Sequence, residues 1–355
     1  MLSVIANSTY ATSSVEEADE FTPYRESHHF SFNIPSSYLK NEIFPHELEQ
    51  YLSKMDDLYE AMANFTGFTD FTAKGKIHIN YDPSLDPQTT YARGIRGGNQ
   101  MTLSWYAIEN LVEEISYGNV YWIAVHELGH SFGLFPDFNI EFTADFLALY
   151  ASVTTGIPLT DWHPRTKNIN ASLDSWYENE YNWANSPMSD LPTGTLHDTR
   201  YSSILTCAII SFVRDYGWEA ISKTFQSYHN DSYINYTEKI KYVGTTGAIR
   251  FHEFINRIDY FSGTDFRKNY LDYEDRSKEL QKEFPVGILG HILGKDKIGL
   301  SDALELLKFL RGADSIIARC EIAFEAARIT GGSRPNMTDV LEILKYLAGV
   351  QSKLD

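Results

Sequence analysis

Apolar and polar positions alternate with a strand-like period early in the chain and recur at helical spacing later. Residues 27–36 (Ser-His-His-Phe-Ser-Phe-Asn-Ile-Pro-Ser) alternate like a strand running into a turn. His28 and His29 have no partner at ligand spacing and read as surface residues. Residues 45–65 predict an amphipathic helix with Leu48, Tyr51, Leu52, Met55, Leu58 and Met62 on one side. Lys76–Tyr81 alternates again, Gly94 to Gly98 marks a turn, and Met101 to Tyr106 predicts a further strand. A helix follows over about 107–116. The apolar run Asn119 to Phe132 predicts another, with Asn119 placed to cap it. Pro136 separates it from a helix over 140–150. Tyr201–Tyr216, Trp218–Tyr228, Phe251–Phe261 and Asp265–Leu271 extend the helical half. Strands first and helices afterwards predict an α+β fold.

The end of the chain repeats itself. Asp302-Ala-Leu-Glu-Leu-Leu-Lys-Phe-Leu-Arg-Gly312 matches Asp339-Val-Leu-Glu-Ile-Leu-Lys-Tyr-Leu-Ala-Gly349 without a break, 37 residues apart. Charged positions recur as well as apolar ones, which predicts a duplicated unit. The expected packing sets Leu304, Leu307 and Leu310 against Leu341, Leu344 and Leu347. Pro285 and Gly287 mark the boundary. The chain therefore divides into a disordered or signal-remnant segment, 1–24, a main domain, 25–284, and a helical module, 285–355.

Within the 119–132 helix stands His126-Glu127-Leu128-Gly129-His130. Positions i and i+4 share a helix face, so both imidazoles can reach one ion. Glu127 lies beside that face, where a carboxylate can take a proton from an activated water. Catalytic zinc takes three protein ligands and keeps one position open. Eleven residues after His130 comes Glu141, with Asp145 one turn further along the same helix. Glu141 is the expected third ligand. Asp145 is expected to orient a ligand histidine through its other ring nitrogen. A competing pattern, HExxHxxGxxH or its Asp variant, finds Gly133 in place. It then finds Pro136 where its third ligand belongs, Asp137 one residue late, and only Met188 for its downstream methionine.

Composition narrows the partners. The chain has 355 residues, 43% of them apolar, enough for a sizeable core. Its net charge of −18 argues against nucleic acid and against anionic membranes. No stretch reaches transmembrane length. Cys207 and Cys320 make no disulfide framework and read as small packing residues. Met1 to Ala6 is a short apolar start without the full signal pattern. A secreted protein with a missing or truncated signal is the expectation.

With these residues in hand, the core resembles the enhancin-like gluzincins, the family of viral enhancins and bacterial mucin peptidases. The resemblance is carried by His126–His130 with Glu141. Leu147-Ala148-Leu149-Tyr150, Asp215–Trp218 and Phe261–Phe266 add to it, and it spans about residues 25–275. It implies a zincin-like mixed sheet and a zinc endopeptidase acting on extracellular proteins or glycoproteins. In that fold an edge strand beside the zinc receives extended peptide, and residues 101–106 are the expected edge. The tail resembles a dockerin, which implies a cohesin-like scaffold partner for residues 288–350. Calcium is not expected there. Counting back from Asp302, the early loop positions hold His291, Leu293 and Lys295; from Asp339 they hold Arg328, Thr330 and Gly332. These do not form oxygen cages.

The mechanism expected of a gluzincin makes Glu127 the general base and needs an oxyanion stabiliser. Tyr150, His163, His197, Tyr201 and His229 are the candidates. Two other readings stay open. One is a non-catalytic docking or adhesion protein with a relic zinc site. The other is a structural zinc closed by a fourth ligand, for which Asp137 is the near choice. Trp162, Trp176 and Trp183 would suit sugar stacking as well as a core.

Overall fold

The computed structural model describes residues 20–39, 42–69, 75–86, 92–133, 136, 138–160, 170–185, 196–230, 233, 242–271, 286–295 and 297–355. The fold is α+β, mostly helical with a small mixed sheet. The sheet comprises β1 (Phe30–Asn33), β2 (Ile77–Tyr81), β3 (Ala92–Gly94) and β4 (Gln100–Leu103) in the order β1-β2-β4-β3. β1, β2 and β4 are parallel, and β3 runs antiparallel to β4 at the edge. The expected edge is therefore corrected. Residues 101–103 lie in an interior strand, Ser104 already caps the next helix, and β3 takes the edge instead. Three residues ending in a glycine carry too little alternation to be legible as a strand.

Helix α1 (Pro45–Thr66) lies against this sheet. Pro45 presets its first turn, Glu47 accepts the Phe44 amide, and Gly67 ends it at φ 65°. Its predicted apolar side is buried. Helix α2 (Trp105–Ser116) leads to β5 (Val120–Tyr121), which pairs with β6 (Leu159–Thr160). Helix α3 (Trp122–Phe132) thus begins two residues later than expected, because Val120 and Tyr121 are taken by the strand. Asn119 caps nothing; its amide donates to Glu114. Helix α4 (Ile140–Thr155) is capped by Asn139, whose Oδ1 accepts the Phe142 amide. The helical half continues with α5 (Leu173–Asn185), α6 (Leu196–Tyr216) and α7 (Glu219–Gln226). It continues with α8 (Thr246–Ser262), which starts at a Thr245 cap rather than at Phe251, and closes with a π-helical turn at Arg267–Leu271. Trp176 is buried in this core, so it offers no face to a sugar.

Residues 20–24, within the segment expected to be disordered or a signal remnant, pack onto the main domain. Phe21 is buried in the main core, and a short 3₁₀ turn follows it at Thr22–Tyr24. The rest of the expected disordered segment, 1–19, lies outside the described residues.

The tail has its own apolar cluster. It contains α9 (Leu300–Leu310), α10 (Glu321–Ala326) and α11 (Met337–Leu347), joined to the main body through β8 (Val286–Ile288) on β7 (Tyr242–Gly244). The duplication runs deeper than two helices. Asp302 accepts the amides of Leu293 and Gly299, and Asp339, 37 residues on, accepts those of Thr330 and Asn336. Both carboxylates are fully buried. Glu305 accepts the Ile316 amide, and Glu342 accepts that of Lys353. The expected apolar stripe is corrected: Leu304 is 54% exposed and Leu341 49%, with Leu307 and Leu344 also outward. Ala303 and Leu306 pack with Val340 and Ile343 instead. The helices are turned by their capping aspartates, which must point inward, and the leucine two residues on faces solvent.

Backbone donors occupy the carboxylates that would close a calcium loop. Calcium is accordingly expected to leave the melting temperature of the full chain unchanged, and Asp339→Ala to cost about 1–3 kcal/mol by stranding buried amides. Calorimetry showing a large calcium-dependent rise in melting temperature would contradict this account.

Candidate metal centre

Two helices and one sheet edge build the site. α3 carries His126, Glu127 and His130, all less than a tenth exposed. Their one-turn spacing brings the imidazole centroids to 4.8 Å. α4 crosses α3 closely because Gly129 has no side chain: a Cβ there would lie 2.6 Å from the Ala144 carbonyl and 2.8 Å from its Cα. This approach sets Glu141 and Asp145, either side of Ala144, against the two histidines.

The geometry follows. Glu141 Oε2 lies 3.2 Å from His126 Nε2 and 3.9 Å from His130 Nε2. Asp145 Oδ1 lies 2.7 Å from His126 Nδ1. The structure therefore brings His126, His130, Glu141 and Asp145 together, with Asp145 on the ring nitrogen that faces away from Glu141. Zinc bonds of 2.0–2.2 Å at tetrahedral angles separate neighbouring ligand atoms by about 3.3–3.6 Å. Glu141 Oε2 sits near that spacing from both Nε2 atoms, and the three residues fit such an ion.

Glu127 also lies 3.9 Å from His130 Nε2, so distance to His130 alone does not single out the third ligand. His126, Glu127 and His130 can by themselves be grouped around an ion. Two observations favour Glu141: one of its oxygens approaches both Nε2 atoms, and Glu127 Oε2 is already engaged by the Gly94 amide of β3. Gly94 has to be glycine, since a Cβ would lie 2.5 Å from the Glu127 carbonyl.

The protein groups alone push the two carboxyls apart. Burial raises Glu127 to about 7, against the opposing pull of His126 and the Gly94 amide. The hydrogen bond from His126 holds Glu141 below its ordinary value despite burial. Burial, with the neighbouring His126, lowers His130 to about 4. Burial also opposes charge on His126, but the Asp145 carboxylate outweighs it and raises His126 well above the usual range. One carboxyl is thus suited to stay charged as a ligand and the other to exchange a proton near neutrality.

The stabiliser candidates fare differently. Tyr150 lies against Phe65 with ring centroids 3.9 Å apart and tilted by 32°, and packs edge-on to Trp218. It is nine residues beyond Glu141, about 13–14 Å along the helix, and belongs to the core rather than to the site. His229 stacks on Phe68, past the end of α1. His163 and the side chains of His197 and Tyr201 lie outside the described residues, as do Asp137 and Met188. A residue passed over in the sequence is Arg96. It donates to the Gly133 carbonyl at the end of α3, and its charge reaches His130. Nothing in a turn of glycines signals that such a cation folds back onto a helix end.

Gly129→Ala tests the helix approach. The added methyl must push α4 away, with an expected loss of about 1–3 kcal/mol in stability. Zinc affinity should fall with it, because Glu141 and Asp145 move together. Equilibrium dialysis showing unchanged affinity would mean that α4 does not set the ligand geometry.

No protein-family model matches the sequence, and no curated protein matches it. Among solved structures, a functionally unknown conserved protein from Bacillus anthracis str. Ames is similar at 16% identity and a TM-score of 0.42. The match covers 73% of this chain and 50% of that one, so the present chain spans about half of that protein's length.

Proposed function

We propose that the chain is a zinc-dependent endopeptidase of gluzincin type, acting on extracellular proteins or glycoproteins such as mucins. The observation that carries this reading is the convergence of His126 Nε2, His130 Nε2 and Glu141 Oε2, with a buried, independent carboxyl, Glu127, beside them. His126, His130 and Glu141 would hold the ion. When bound, zinc supplies polarisation of the scissile carbonyl and activation of water.

The remaining steps belong to the chain itself. With the ion bound, Asp145 would accept from His126 Nδ1 and so hold the neutral imidazole with Nε2 directed at the ion. Glu127 takes the proton of the attacking water on a carboxylate oxygen and delivers it to the leaving amine nitrogen. The Gly94 amide holds that carboxylate in place. It also ties the site to β3, the edge strand of the mixed sheet. An extended peptide can pair along β3 and bring its carbonyl to the histidines.

Incubating the zinc-loaded protein with bare and glycosylated mucin, and sequencing the fragments, tests the proposal. Cleavage is expected, stopped by a chelator and restored by zinc. Intact substrates of both kinds would count against a peptidase, and cleavage of only the glycosylated form would add sugar recognition to it.

A further inference from the structure

A second group of ligating side chains lies away from the first. His28, His29 and Glu60 each offer an atom within 4.8 Å of the others. The sequence conceals them because strand alternation would send His28 and His29 to opposite faces. The chain bends at these two residues instead, and β1 begins only at Phe30. Their rings meet edge to face at 4.3 Å.

The bend is built. Asp56 on α1 accepts the backbone amides of both His28 and His29, and the Ser27 hydroxyl donates to it as well. One turn further along α1, Glu60 Oε1 stands 2.6 Å from His29 Nε2. The His29 ring lies stacked on Tyr59 at 3.8 Å. All three ligating residues border a pocket of about 460 Å³. Lys76 also borders it, but its ammonium is paired to Glu26 at 2.8 Å. Glu26, Asp56 and Glu60 against Lys76 leave the surroundings negative.

We propose that His28, His29 and Glu60 form a second metal site, for a divalent transition ion of the zinc class. Two imidazoles and one carboxylate suit zinc, cobalt or nickel rather than magnesium or calcium, which take oxygen ligands. The site is partly exposed and leaves a position open to water. An ion there ties the start of β1 to α1. Tyr59, which touches both His29 and Phe132, links it to the end of α3 two residues after His130.

The test uses the full chain carrying His126→Ala and His130→Ala, so that the first site cannot contribute. This protein is expected to bind one zinc per chain in equilibrium dialysis and to give visible ligand-field bands with cobalt. Adding His28→Ala should weaken zinc by at least about tenfold and remove the bands. His28 is exposed, so this variant keeps its fold, and unchanged circular dichroism verifies that. Glu60→Gln should weaken binding similarly. Absence of zinc binding in the double variant, or binding that neither His28→Ala nor Glu60→Gln reduces, would overturn the proposal.

Discussion

Glu127→Gln is expected to retain zinc and fold while hydrolysis falls about a hundredfold to ten-thousandfold, the usual cost of losing a general base. Glutamine matches glutamate in shape. Its amide oxygen can still accept from Gly94, which keeps β3 docked against α3. What it cannot do is carry a proton. The glutamate is 6% exposed, and with protein groups alone burial raises it to about 7. Measuring kcat/KM and metal content on one preparation separates base loss from ligand loss. Undiminished cleavage with zinc still bound would assign the base to another group.

The second large effect concerns the ion. His126→Ala or His130→Ala should abolish zinc binding, and Glu141→Ala should weaken it strongly. Asp145→Ala should weaken it by about ten- to hundredfold, as removing a partner that orients a ligand usually does. The order follows from contact. The histidines and Glu141 supply the converging atoms, whereas Asp145 reaches the ion only through His126. Metal analysis of the purified variants decides it. Zinc held as tightly by Glu141→Ala as by the parent chain would bring Glu127 forward as the third ligand, since it lies equally near His130.

Local periodicity carried much of this. The i, i+4 spacing of His126 and His130, and of Glu141 and Asp145, is a property of one helix at a time, and a helix needs no other part of the chain to set it. The apolar side of α1 and the 37-residue repeat were legible for the same reason. Contacts between elements were not. Which strand takes the edge depends on pairing, and β3 is too short to announce itself. Arg96 reaches the end of α3 only because its turn folds back there. In the tail, hydrophobicity alone could not choose between two leucine faces. The buried aspartates chose, because an unpaired carboxylate inside the module would cost far more than an exposed leucine gains.

The amino-acid order by itself determined the donor set of the site: two imidazoles one turn apart, a carboxyl between them and a second pair of carboxyls on the next helix. Tertiary structure decided which of those carboxyls meets the imidazoles and which meets a backbone amide. That decision rests on the absence of two side chains, at Gly129, where α4 crosses, and at Gly94, where β3 arrives. A glycine in a sequence states only what is missing. What fills the space is set by long-range packing, and no local period reports it.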